Sequence, residues 1–153
     1  MCSRPEILID SFAKAGSDGI TIHAELGAAA HDRLKDIRSL GLKAGIAVNP
    51  PSDISIVEPF LEEIDLLLIM TVNPGFGGQS FIEEMMEKVQ AVRNWRDSRE
   101  LDYIIQVDGG VGLQNCSLCA QSGADCFVSG TAPFSKPDMG KAISEMRSLV
   151  QSV

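Results

Sequence analysis

Three glycine-bearing segments stand out as places where a ligand could be held: Asn73-Pro74-Gly75-Phe76-Gly77-Gly78-Gln79, Asp108-Gly109-Gly110 and Ser129-Gly130-Thr131. Each follows a short apolar run. Glycine lets the backbone approach a ligand closely and turn its amides toward an anion. The second segment adds a carboxylate, Asp108, a group able to hold or pass a proton. Each glycine could simply make a tight turn, and Asp108 could be a turn-forming acid ahead of two glycines. Three such segments in successive strand-end positions, one with an acid, favour a ligand site.

These segments are positioned by an alternating chain. Strands are expected at Gly19 to His23, Lys43 to Val48, Asp65 to Met70, Tyr103 to Val107 and Cys126 to Val128. The run Asp65-Leu66-Leu67-Leu68-Ile69-Met70 has the continuous apolar character of a strand covered on both faces. Helical periodicity is expected at residues 7–15, Ala28 to Leu40 (closed by Gly41), Ser80 to Ser98, Leu113 to Ser122 and Lys141 to Val150, with a short helix from about Asp53. In the long helix Ile82, Met85, Met86, Val89 and Val92 share one stripe. A helix followed by five β–α units predicts a parallel sheet with right-handed crossovers. An open doubly wound sheet and a segment of a barrel both fit this pattern. In either, chemistry gathers in the loops after strand C-termini.

At 153 residues the chain reads as a single domain, 1–153, long enough to bury a core. A net charge of −8 argues against nucleic acid and anionic membrane as partners. It leaves a phosphorylated substrate open, because helix N-termini and backbone amides bind one phosphate whatever the net charge. No run approaches the roughly 20 apolar residues of a membrane span, and the N-terminus lacks a secretory pattern. Four cysteines (Cys2, Cys116, Cys119, Cys126) are too few for a disulfide scaffold, so a reducing, cytoplasmic setting is expected. Cys116 and Cys119 have redox or zinc spacing, but they fall in a helical stretch without a second ligand pair and read as core residues. His31 reads as a surface helix residue, and His23 as a strand-end residue able to face a barrel mouth.

The segment Leu68-Ile69-Met70-Thr71-Val72-Asn73-Pro74-Gly75-Phe76-Gly77-Gly78-Gln79-Ser80-Phe81 resembles the signature of the ribulose-phosphate 3-epimerase family. Val107-Asp108-Gly109-Gly110-Val111 resembles that family's second signature. Shorter similarities lie at Thr21 to Glu25, Lys43 to Pro50, and Gly123 to Thr131, so the resemblance covers essentially the whole chain. It implies a (β/α)8 barrel that interconverts D-ribulose 5-phosphate and D-xylulose 5-phosphate in the pentose phosphate pathway. One aspartate takes the C3 proton to give an enediolate, and a second returns a proton on the opposite face. A divalent metal ion (zinc, iron, manganese or cobalt) offsets the enediolate charge. By this resemblance Asp108 is the second acid and a metal ligand, and Gly75, Phe76, Gly77 and Gly78 belong to a loop that closes over substrate. Gly109, Gly110, Gly130 and Thr131 match the phosphate cradle, and Met70 lines the pocket of the reacting carbon. An epimerase acting on hexulose 6-phosphate is a related possibility.

The family's first strands carry a serine, a His-x-Asp pair and a further histidine. A methionine just after the family's third strand aligns with Met1, which implies that these residues are lacking here. The expectation is therefore an α/β fold made of an incomplete (β/α)8 TIM barrel, five β/α units with parallel strands. One of the two catalytic acids and every metal ligand except Asp108 would be missing. The alternative function is a truncated, catalytically impaired remnant that binds sugar phosphate or dimerises with a full-length relative. Unpaired apolar edge strands also predict a homo-oligomer, association with such a relative, or marginal folding.

Overall fold

The computed structural model describes Cys2 and residues 4–153. Met1, on which the alignment with the family's third strand rests, lies outside the described residues. The chain builds one parallel sheet of five strands: β1 (Gly19–His23), β2 (Lys43–Val48), β3 (Leu66–Met70), β4 (Ile104–Asp108) and β5 (Cys126–Val128). Their spatial order is β1-β2-β3-β4-β5, the order of the sequence. A doubly wound sheet reverses its strand order at a switch point, whereas barrel strands follow one another around the wall. The order thus selects the barrel type from the two architectures that the sequence leaves open.

Alternation along each strand separates the two faces of the sheet. Ile22, Ile46, Leu67, Ile69, Ile105 and Val107 point to one side and are almost wholly buried. Against them pack α2 (Ala29–Ser39), through Ala30, Leu34 and Ile37, and α3 (Met85–Ser98), through Met85, Met86, Val89 and Val92. Cys116 and Cys119 of α4 (Cys116–Ser122) are buried in the same core, as expected of small core residues. The remaining helices are α1 (Ile9–Lys14), α5 (Thr131–Phe134) and α6 (Met139–Gln151).

The opposite face carries Leu66, Leu68, Ile104, Gln106 and Val128, all exposed or only half-buried. The expectation that β3 is covered on both faces is corrected here. Crossovers of one hand put the packed helices on a single side, and Leu66 and Leu68 face away from them.

Acids at the strand entrances fix the register. Asp65 Oδ2 accepts from the Ala44 amide at 2.8 Å, while the Asp65 amide donates back to the Ala44 carbonyl. Asp125 repeats the device on Ile105, with its carboxylate on the Ile105 amide at 2.8 Å.

The bounds of β1, β2 and β5 are those expected, and most others shift by at most a single residue. The largest change is at the long helix, which starts at Met85 rather than Ser80, because the Ile82 amide is taken by the Thr71 carbonyl at 2.9 Å instead of entering a helix. The expected helix near Asp53 is a 3-10 turn over Ile54–Phe60, capped by the Asp53 carboxylate on the Ser55 amide.

A polar hub joins the C-terminal ends of β1 and β2 to α3. Glu25 accepts from the Asn49 amide and the Ser52 hydroxyl, and pairs with His23 at 3.2 Å. Burial pushes the Glu25 carboxyl up, but the Ser52 and Asn49 bonds and the nearby His23 outweigh it and leave its pKa below the usual value. Lys88 Nζ donates to the carbonyls of Asn49, Pro50 and Ser52, at 3.4, 2.7 and 2.6 Å. Replacing Lys88 by Ala leaves carbonyls of this turn without their donor. A loss of about 1–3 kcal/mol in urea unfolding is expected. The exposed Lys141→Ala, which breaks only an i,i+4 pair with Glu145, should change stability by less than about 0.5 kcal/mol.

Candidate functional site

Parallel strands in consecutive order bring all their C-terminal loops to one rim. Asp108 is the last residue of β4 and lies in register with Met70, the last of β3. Both belong to the face that carries no helix. Beyond them the Thr71 amide donates to the Asp108 carbonyl at 2.8 Å, so the two strands stay paired to the base of their loops.

Around this rim opens a cleft of about 680 Å³, within the usual range for small-molecule sites. The ten positions that the resemblance assigns to the site all line it: Met70, Gly75, Phe76, Gly77, Gly78, Asp108, Gly109, Gly110, Gly130 and Thr131. Val72, Pro74, Gln79, Val111, Gln114, Val128, Ala132 and Ser135 complete the wall. Of these, Val72, Pro74, Gln79 and Val111 belong to the two signature segments and could have been read from them. Gln114, Val128, Ala132 and Ser135 carry no local signal of a site.

The loop after β3 is pinched at its base by the Thr71 carbonyl on the Ile82 amide. Gln79 Nε2 binds the carbonyls of Asn73 and Phe76 at 2.6 and 2.9 Å, which gives the loop an internal brace. Phe76 at its tip is 76% exposed, and Gly77 comes across toward Thr131 of the β5 loop.

Gly109 and Gly110 can be nothing larger. Their φ angles are 123° and 67°, and a Cβ on them would lie 2.5 Å from Val72 Cγ2 and 2.7 Å from the Phe81 amide nitrogen. The wall of the cleft contains no Lys or Arg among the described residues. An anion here would be met by backbone amides and by the start of α5, not by a cation.

Burial in this apolar rim pushes the Asp108 carboxyl above its ordinary value, the direction that suits a group meant to hold a proton part of the time. Among the described residues no group of three or more His, Cys, Asp or Glu is placed to hold a metal ion. Asp108 is the sole carboxylate lining the cleft among those residues, so this donor set does not by itself fit a divalent cation. His23 sits at the end of β1, paired with Glu25, away from the Asp108 cleft. His31 is half-buried rather than a free surface residue, bonded to Glu63 at 2.9 Å and packed on Phe60. Cys119 is pushed up to about 12 by burial and by its neighbour Cys116, which keeps its thiol unreactive.

An α/β sheet of barrel order, with a cleft of glycine loops at its C-terminal rim, is the architecture of a (β/α)-barrel enzyme. Solved structures agree on the fold: 3-hexulose-6-phosphate synthase from Salmonella typhimurium superimposes with a TM-score of 0.72 at 17% identity, over 99% of this chain and 70% of that one. KGPDC from Streptococcus mutans, in complex with D-R5P, gives 0.74 at 12% identity, over 99% and 69%.

The family follows from sequence. The ribulose-phosphate 3 epimerase family model matches residues 1–134, and the chain belongs to that family. Curated ribulose-phosphate 3-epimerases from Bacillus subtilis and Synechocystis are 40% and 44% identical, each over 96% of this chain. That of Rhodospirillum rubrum is 45% identical over 99%. The chain spans about two thirds of the length of these relatives: 68%, 65% and 67%.

The raised pKa of Asp108 has a signed consequence for stability. Below its unfolded value of 3.8 the carboxyl is protonated in both states and costs nothing. As pH rises past that value the unfolded chain ionises first, and the folded state bears a penalty that is complete above the folded pKa. Asp108→Asn is therefore expected to raise the thermal midpoint at pH 7, with the gain shrinking as the pH approaches 3.8. Melting curves of both proteins across that range provide the check, and a gain independent of pH would contradict it.

Proposed function

We propose that this chain supplies five β/α units, with the phosphate-facing rim and one catalytic acid, to a barrel that interconverts D-ribulose 5-phosphate and D-xylulose 5-phosphate. The observation that carries this reading is the convergence of all the family-matched positions on one cleft, with the half-buried Asp108 carboxyl among them. The glycine loops after β4 and β5 take the phosphate, and the loop Gly75 to Gly78 closes over the sugar. Met70, beside Asp108, presents an apolar surface to the reacting carbon. Asp108 exchanges a proton with C3: the C3–H bond breaks, its electron pair enters the enediolate, and the carboxylate carries the proton.

Inversion requires a second acid on the other face of the sugar. The edges β1 and β5 each have a single strand partner among the described residues, which supports closure by further β/α units as the source of that acid. In such a closed barrel Asp108 would be one carboxylate available to a divalent metal, and the remaining ligands would have to come from those further units; such an ion would supply positive charge beside the sugar oxygens. The same open edges favour a second reading, in which the chain binds sugar phosphate and associates with a copy of itself or with a longer relative without turning substrate over.

Proton exchange separates the two. With D-ribulose 5-phosphate and a divalent metal in deuterated water, deuterium is expected to enter C3, and Asp108→Asn should slow this by about 100-fold or more. Equal exchange in both proteins would remove Asp108 from the chemistry. Sugar phosphate binding without any exchange would establish the second reading.

A further inference from the structure

Three side chains from three different elements each hold one consecutive carbonyl of the loop after β4. Thr71 Oγ1, wholly buried beyond the end of β3, donates to the Gly109 carbonyl at 2.6 Å. Asn115 Nδ2, buried at the entry to α4, donates to the Gly110 carbonyl at 3.0 Å. Ser129 Oγ, at the end of β5, donates to the Val111 carbonyl at 2.6 Å. In a trans peptide the N–H points opposite to the C=O. Drawing the carbonyls of Gly109 and Gly110 back into the protein therefore turns the amides of Gly110 and Val111 the other way. Both residues line the cleft, and among the described residues neither amide has an acceptor. The third peptide is held at both ends, because the Gly112 amide is taken by Asn115 Oδ1 at 2.8 Å. The result is two adjacent donors aimed one way, the arrangement that binds an anion.

We infer that Thr71, Asn115 and Ser129 are positioning residues for phosphate recognition. Thr71 and Asn115 hold the Gly110 and Val111 amides facing the cleft and Ser129 fixes the peptide that follows them, so the binding site is built by side chains that never touch the ligand. The inference rests on the proposed sugar phosphate site and specifies how its anion end is made. Two features make it more than the bracing of a tight loop. Two of the bonds, from Thr71 and Asn115, fall on the carbonyls whose partner amides are free, and those from Thr71 and Ser129 come from segments 38 and 18 residues away, where a local turn would satisfy itself. Among the described residues the cleft also offers no Lys or Arg, so affinity for phosphate depends on the aim of these amides.

The test is a titration of the intact chain with inorganic phosphate, followed by the amide proton and nitrogen shifts. The Gly110 and Val111 signals are expected to move most. Thr71→Val and Asn115→Ala should each weaken phosphate about tenfold, the scale of one well-aimed hydrogen bond. Thr71→Ser keeps the hydroxyl and should stay within about twofold of the parent, which a requirement for the threonine methyl alone would not allow. Should the buried variants unfold, Ser129→Ala at its half-buried position loosens the peptide next to these amides and is expected to weaken phosphate by about threefold. Phosphate that leaves these two amides unmoved, or that binds folded variants as tightly as the parent, would overturn the inference. Phosphate seated on these amides without Asp108-dependent exchange at C3 would retain it and sink the epimerase reading. Exchange that survives undiminished in the folded variants at low sugar phosphate would do the reverse.

Discussion

The register between β3 and β4 is the constraint on which the rest of the rim depends. Met70 lies opposite Asp108, and the next residue, Thr71, uses its amide on the Asp108 carbonyl, its carbonyl on the Ile82 amide and its hydroxyl on the Gly109 carbonyl. Because side chains alternate across a strand, a slip of one residue would turn Asp108 into the helix layer and Val107 out of it. The same slip would carry both glycine loops out of reach of one another. At the other end of the strands the carboxylates of Asp65 and Asp125 pin the registers on either side, β2 on β3 and β4 on β5, while the Asp65 carbonyl takes the Ile104 amide of β4.

From this register follows a division of labour between the two faces of the sheet. The face with Ile46, Leu67, Ile69 and Ile105 packs on helices and supplies the stability. The other face presents Leu66, Leu68, Gln106 and Asp108 in a partly open, apolar setting. That setting raises the Asp108 carboxyl without any neighbouring anion, since burial is the cause at work. Recognition of the anion is separated from this chemistry. With a net charge of −8 and no cation among the described residues of its cleft, the proposed phosphate site would depend on the backbone, and that requires loops whose peptides cannot turn over.

The strands, the three glycine loops and Asp108 were legible in the sequence because each is a local pattern: an apolar run, then glycine, then an amphipathic stretch. The order of the strands was not, since periodicity says which residues face a core but not which strand lies beside which. Ser80 to Glu84 read as helix because Ile82 continues the apolar stripe of α3, yet a backbone bond to Thr71 holds that stretch in the loop. Leu66 and Leu68 read as doubly buried because an apolar run looks the same whether or not its second face is covered. The short helix Thr131–Phe134 begins at Gly130, within a segment that looks only like a turn. Thr71 and Ser129 were hidden more deeply, since a hydroxyl bonded to a carbonyl across 38 or 18 residues leaves no trace in either neighbourhood.

The central claim is that this rim recognises a sugar by its phosphate. Calorimetric binding of D-ribulose 5-phosphate, compared with unphosphorylated D-ribulose, addresses it most directly. The account predicts that the phosphorylated sugar binds at least about 100-fold more tightly, because the free amides of the β4 loop and the start of α5 have no other anion to meet. Equal affinity for the two sugars would contradict it and would leave the glycine loops as turns.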